Sequence, residues 1–116
     1  MALLRSKPTA LGVTLTYWNI GERRINDCMK QCEVRMNPYL DEAARRAVGA
    51  MPFGPEAEWI HLDYDARDAI PALEAAPENG VAAQAAVPAY PGIGDGSRAA
   101  LYAAIKWHWP DAQDAQ

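Results

Sequence analysis

The sequence predicts an α+β fold: a small antiparallel sheet built on an N-terminal β-hairpin over about residues 12–37, with one short middle helix and a C-terminal helix over about 97–108. Three observations carry this expectation. Gly12 to Ile20 is the longest run of β-branched, aromatic and bulky residues in the chain. Cys32 to Asn37 alternates apolar and polar residues, as a half-buried return strand does. From Ser97 onward, Leu101, Ala104, Ile105 and His108 recur at helical spacing.

Taken in order, residues 1–11 read as an N-terminal arm. Arg5, Ser6, Lys7 and Pro8 show no period and little to bury, so the arm is either loose or docked on a neighbouring subunit. Its removal over residues 1–8 is expected to leave the fold intact and weaken assembly. The hairpin-centred core spans residues 12–76. In its first strand Val13, Leu15 and Tyr17 share one face and Thr14, Thr16 and Trp18 the other. Gly21 stands where a bulge is tolerated.

Residues 22–36 admit two readings. A helix would place Ile25, Cys28, Met29, Cys32 and Met36 on one face. A hairpin would turn at Asp27 to Lys30 and send Cys32, Val34 and Met36 inward, and the flanking strand pattern favours it. Asn37-Pro38 is expected to stop the return strand. A short helix over roughly Tyr39–Val48 follows, capped by Asn37, with Asp41 and Glu42 early and Arg45 and Arg46 late. Its buried stripe would be Leu40, Ala44, Ala47, Val48 and Met51. Met51 to Pro55 is a loop, and Trp59 to Tyr64 a third strand pairing with the hairpin. Asp65 to Ala76 reads as helical, interrupted by Pro71.

Residues 77–96 are rich in Pro, Gly and Ala and read as an irregular segment, of the kind that forms a surface arm or partner contact. Residues 97–116 form the C-terminal helix and a polar tail. Ser97 caps the helix, Ala100 and Trp107 broaden its stripe, and Pro110 ends it. All four segments belong to a single domain.

The 116 residues allow one modest core. Half are hydrophobic, but many of these are alanine, so the core must lean on the four Trp and five Tyr. A net charge of −4 with no basic run argues against nucleic acid as a partner. No window reaches the ~18–20 apolar residues of a membrane span, and no apolar stretch reads as a signal peptide. Two cysteines make no disulfide framework, which fits synthesis in a reducing, intracellular setting.

Candidate chemistry is sparse. Cys28 and Cys32 with His61 and His108 could be assembled into a zinc set, but Cys-x3-Cys lacks the tight knuckle of such sites. Lys30 alone gives little activation to a thiol. Asp63, Asp65 and Asp68 suggest a calcium loop, yet the sixth position is Asp68 where a glycine is required. Gly92 to Ser97 precedes a helix as a phosphate loop would, but no Lys follows and Asp95 would repel an anion. Ser97 with either histidine lacks a nucleophile elbow. The reading is therefore of a non-enzyme with no catalytic, cofactor-binding or metal residues and no small-molecule substrate. Most aromatics belong to the core; Tyr90, Trp107 and Trp109 are the candidates for anchoring a protein contact.

One stretch has a family likeness. Tyr17-Trp18 with Ile20, then Ile25 and Lys30, then Val34-Arg35-Met36, then Tyr39-Leu40-Asp41-Glu42-Ala43-Ala44-Arg45 resembles a family of small tailed-bacteriophage virion proteins. The helix Ala100 to Lys106 with its acidic tail is similar in style. The likeness covers about a third of the chain. It implies a structural component of the tail tip, baseplate or fibre-attachment region, localised to the virion after synthesis in the host cytoplasm. Its partners would be other virion proteins and copies of itself in a symmetric assembly. The alternative is a small phage or bacterial inhibitor that binds a host protein through its acidic surface.

Overall fold

The computed structural model describes residues 2–94 and 96–115; Met1, Asp95 and Gln116 lie outside the described residues. Five strands form one antiparallel sheet: β1 Leu3–Pro8, β2 Thr14–Asn26, β3 Gln31–Tyr39, β4 Glu58–Asp63 and β5 Gln113–Asp114, in the order β4-β3-β2-β1-β5. Two α-helices accompany it, α1 Glu42–Arg46 and α2 Arg98–His108. The chain is therefore α+β, and its sheet is antiparallel throughout.

Strands β2 and β3 form a hairpin down to the pairs Ile25–Cys32 and Asn26–Gln31, which excludes a helix over residues 22–36. The turn lies where the sequence places it, with Lys30 at φ 51° and the Asn26 side chain accepting from the Met29 N–H. Cys32, Val34 and Met36 point inward and are buried. The register slips between Ile20 and Glu22, so Gly21 occupies a bulge. The Ile20 N–H donates to the Tyr102 hydroxyl of α2 at 3.0 Å. A side chain at Gly21 is forbidden by its neighbour: a Cβ there would stand 1.9 Å from Asn37 Nδ2.

The core fills one face of the sheet. Leu3, Trp18, Val34, Met36, Ile60 and Leu62 from the strands meet Leu101, Tyr102, Ala104 and Ile105 of α2. Trp18 packs edge-on against Trp109 at 5.1 Å and donates its Nε1–H to the Arg5 carbonyl. Helix α2 has the predicted Ser97 cap, which accepts from the Ala100 N–H. Its stripe is shifted from the expected one: Tyr102 is buried and His108 is exposed.

Two strands separate β1 from β4, so a flat sheet would hold them about 14 Å apart. Yet Arg5 Nη1 reaches Glu58 Oε2 at 2.7 Å, and Lys7 Nζ lies 3.3 Å from Glu56 Oε2. The sheet is curled, and these pairs draw its concave side together. The Arg5 guanidinium also lies over the Trp109 ring at 4.1 Å.

Several expectations are corrected here. The N-terminal arm is strand β1 over most of its length, with Leu3 buried and Arg5 and Lys7 half-buried. The polar tail contributes β5, which pairs Asp114 and Gln113 with Leu3 and Leu4. Pro38 does not stop β3. It lies within the strand opposite Trp18, at a point beyond the end of β4, so its missing N–H costs no ladder bond. The middle helix is only Glu42–Arg46, and its cap is Asp41; Asn37 is a buried strand residue instead. Its supposed buried stripe is absent, since Leu40, Val48 and Met51 are exposed. Finally, residues 65–76 are extended rather than helical.

Candidate functional site

The most distinctive feature is a projecting arm formed by residues 67–90. Arg67 pairs with Tyr90, Ile70 with Val87, Leu73 with Gln84 and Ala76 with Val81. At every one of these positions the two residues exchange both backbone hydrogen bonds, at 2.9–3.1 Å. The spacing is three residues on both sides. That is the period of polyproline II, not the two-residue period of a pleated strand, and it accommodates Pro71, Pro77 and Pro88 between the paired positions. A Pro77–Asn79 turn closes the tip.

The arm has almost no core of its own. Nearly every residue from Asp65 to Ala89 is exposed, including Ile70 at 55 % and Leu73 at 48 %. The molecule is correspondingly drawn out, with a radius of gyration of 17.2 Å and a long axis of 61 Å. A compact chain of this length has a radius of about 13 Å. An isolated two-stranded ribbon is marginally stable in water. Something must therefore hold the arm where it leaves the body.

The root supplies that hold. Tyr90 is buried, donates its hydroxyl to the Asp63 carbonyl at 2.9 Å, and meets Trp107 edge-on at 5.2 Å. Arg67 lies over the Tyr90 ring at 4.3 Å and bonds Asp63 Oδ2 at 2.6 Å. Asp63 also accepts from Gln31 at 2.9 Å, and these two hydrogen bonds hold its carboxyl below the ordinary range. Trp107 Nε1 donates to the Pro88 carbonyl. His108 packs edge-on against both rings; partial burial, then the Arg67 charge, pushes its imidazole down. Gly92 completes the root at φ 68°, where a Cβ would lie 2.6 Å from the Tyr64 carbonyl oxygen.

The sequence-predicted anchors are thus accounted for inside this chain. Tyr90 and Trp109 are buried, at the arm root and in the core, while Trp107 is half-buried between the arm and α2. The zinc candidates do not converge. Cys28 is exposed in the hairpin turn, Cys32 is buried with its thiol pushed up by that burial, and His61 faces Glu33 on the opposite side of the sheet. Among the described residues no cluster of three or more potential metal ligands forms. Ser97 caps α2, at the opposite end of the helix from His108. No described helix is long and apolar enough to cross a membrane.

Comparison with protein-family models, with curated proteins and with solved structures finds no match for the chain. The arm residues Ile70, Leu73, Val81 and Val87 were missed as a functional set. Their signal is in the sequence, as two mostly apolar series at three-residue spacing mirrored about Glu78-Asn79.

A second surface lies at the other pole. Strand β3 runs from the arm root, where Gln31 meets Asp63, to Tyr39, after which α1 begins. Around α1 a concavity of about 390 Å³ is lined by Tyr17, Asn19, Arg45, Arg46 and Arg98. Leu40, Val48 and Met51 are exposed beside α1.

Proposed function

We propose that this protein is a non-enzymatic structural component of a bacteriophage virion, in the tail tip, baseplate or fibre-attachment region, working through protein contacts in a symmetric assembly. The observation that carries the assembly part is the braced arm. Buried Tyr90, half-buried Trp107 and a four-residue polar network fix its root, while its length displays apolar side chains to solvent. Exposed apolar surface held out on a rigid support is what a protein–protein contact uses. The virion part rests on the family likeness of residues 17–45, which lie in the hairpin and α1.

The test is mass spectrometry of purified particles from a phage or prophage carrying this sequence. Stoichiometric recovery with the tail supports the reading. Consistent absence from particles, with capture of one host protein by the isolated chain, would replace it with the inhibitor reading.

A further inference from the structure

The arm and the α1 pole complement one another in chemistry and stem from opposite ends of β3. Between Asp65 and Tyr90 the chain carries Asp65, Asp68, Glu74 and Glu78 against Arg67 alone, and Arg67 is committed to Asp63 at the root. Beyond its root the arm is therefore apolar and acidic: Ile70, Leu73, Val81 and Val87 with Glu74 and Glu78, all exposed. The α1 pole is apolar and basic where it is free to bind. Its carboxylates lie at α1, Asp41 capping Ala44 and Glu42 pairing with Arg46 at 2.6 Å, and neither lines the concavity. Arg45, Arg46 and Arg98 line the concavity, and exposed Leu40, Val48 and Met51 lie within a few residues of α1 along the chain.

The two surfaces are separated by the length of β3, nine residues or about 30 Å at ~3.3 Å per residue. The arm adds about 30 Å more, at ~3.1 Å per residue over each of its two limbs. It leaves the body after Asp63, which pairs with Gln31 at the start of β3, in a molecule 61 Å long. We propose that the arm of one copy docks on the α1 pole of a second copy, head to tail. The inference rests on the assembly reading given above and names its partner. Because the contacting surfaces differ, the contact is heterologous. A docked pair still presents one free arm and one free pole, so the association grows into an open filament or until a ring closes.

The experiment uses the full chain in sedimentation velocity at low salt. Wild type is expected to assemble beyond the monomer, and less so as salt rises. Two charge reversals are then made on exposed side chains, Glu74→Lys with Glu78→Lys on the arm and Arg45→Glu with Arg98→Glu on the pole. Each alone should weaken association at least about tenfold, since like charges then meet across the contact. An equimolar mixture of the two should reassemble, because every arm again finds an opposite pole. A Leu73→Ser, Val87→Ser variant should also fail to assemble, and no mixture with either reversal should restore its own arm contact.

Wild type that stays monomeric, a reversal that assembles as wild type does, or a mixture that stays monomeric would each overturn the head-to-tail contact. A chain recovered in particles yet monomeric alone overturns this inference and leaves the virion reading standing. A chain that self-assembles but is absent from particles does the reverse.

Discussion

A methyl group added at Gly21 would collide with Asn37, whose own side chain is buried and accepts from Arg35 Nε at 3.1 Å. Asn37 therefore cannot swing aside without breaking a bond. Gly21→Ala should cost about 1–3 kcal/mol in urea denaturation. Asn37→Ala in the same chain should recover part of that loss, as a double-mutant cycle would read. Titration at the arm root is equally local. His108 is pushed below its ordinary value of 6.5, so the unfolded chain binds this proton more readily than the folded one. Stability is then fully present above pH 6.5 and falls as the pH drops through the lowered folded value. Asp63, lowered from 3.8, follows the same sign in a more acid window. The decline between pH 7 and 5 should shrink in His108→Gln, measured by urea midpoints. Both groups are largely solvated, which keeps the effects small.

Strand β1 is the element whose loss matters most among those that look dispensable. It puts Leu3 against Trp18 and sets Arg5 across the sheet on Glu58. Deleting residues 2–8 should lower the melting temperature markedly, against the sequence expectation of an intact fold; scanning calorimetry decides between them. The sequence hid this strand because its inward positions are Leu3, Arg5 and Lys7, two of them charged. The partner of Arg5 lies 53 residues away along the chain. The hairpin was legible for the opposite reason: Cys32, Val34 and Met36 are apolar and all face inward. Helix α2 was legible too, since cap and stripe agree. The candidate site was only half legible. Its second limb falls in the Pro- and Ala-rich stretch 77–96 that reads as a surface arm, but its first limb falls in 65–76, which reads as helical, because a period of three belongs to neither helix nor pleated strand. Within that element Arg67→Ala removes both the Asp63 bond and the cover over Tyr90. Limited proteolysis should then cut residues 68–89 several times faster while the body resists.

At the scale of the whole molecule, body and arm draw on separate sources of stability. The core cluster takes Tyr90 from the arm root and Ile93 from beyond it, but nothing between Asp65 and Ala89. Replacing residues 70–87 by a two-residue turn should leave the melting temperature nearly unchanged and bring the radius of gyration from 17.2 Å toward about 13 Å in X-ray scattering. A melt that falls by ten degrees or more would mean that the arm supports the body. The reciprocal bonding of the arm has a consequence of its own. Because the bonded pairs recur only at every third residue on both limbs, adding or removing one or two residues puts every later pair out of step. The reach of the arm can therefore change only in graduations of six residues, three per limb, each worth about 9 Å at a ~3.1 Å rise. The ribbon is a ruler, and its length is quantised.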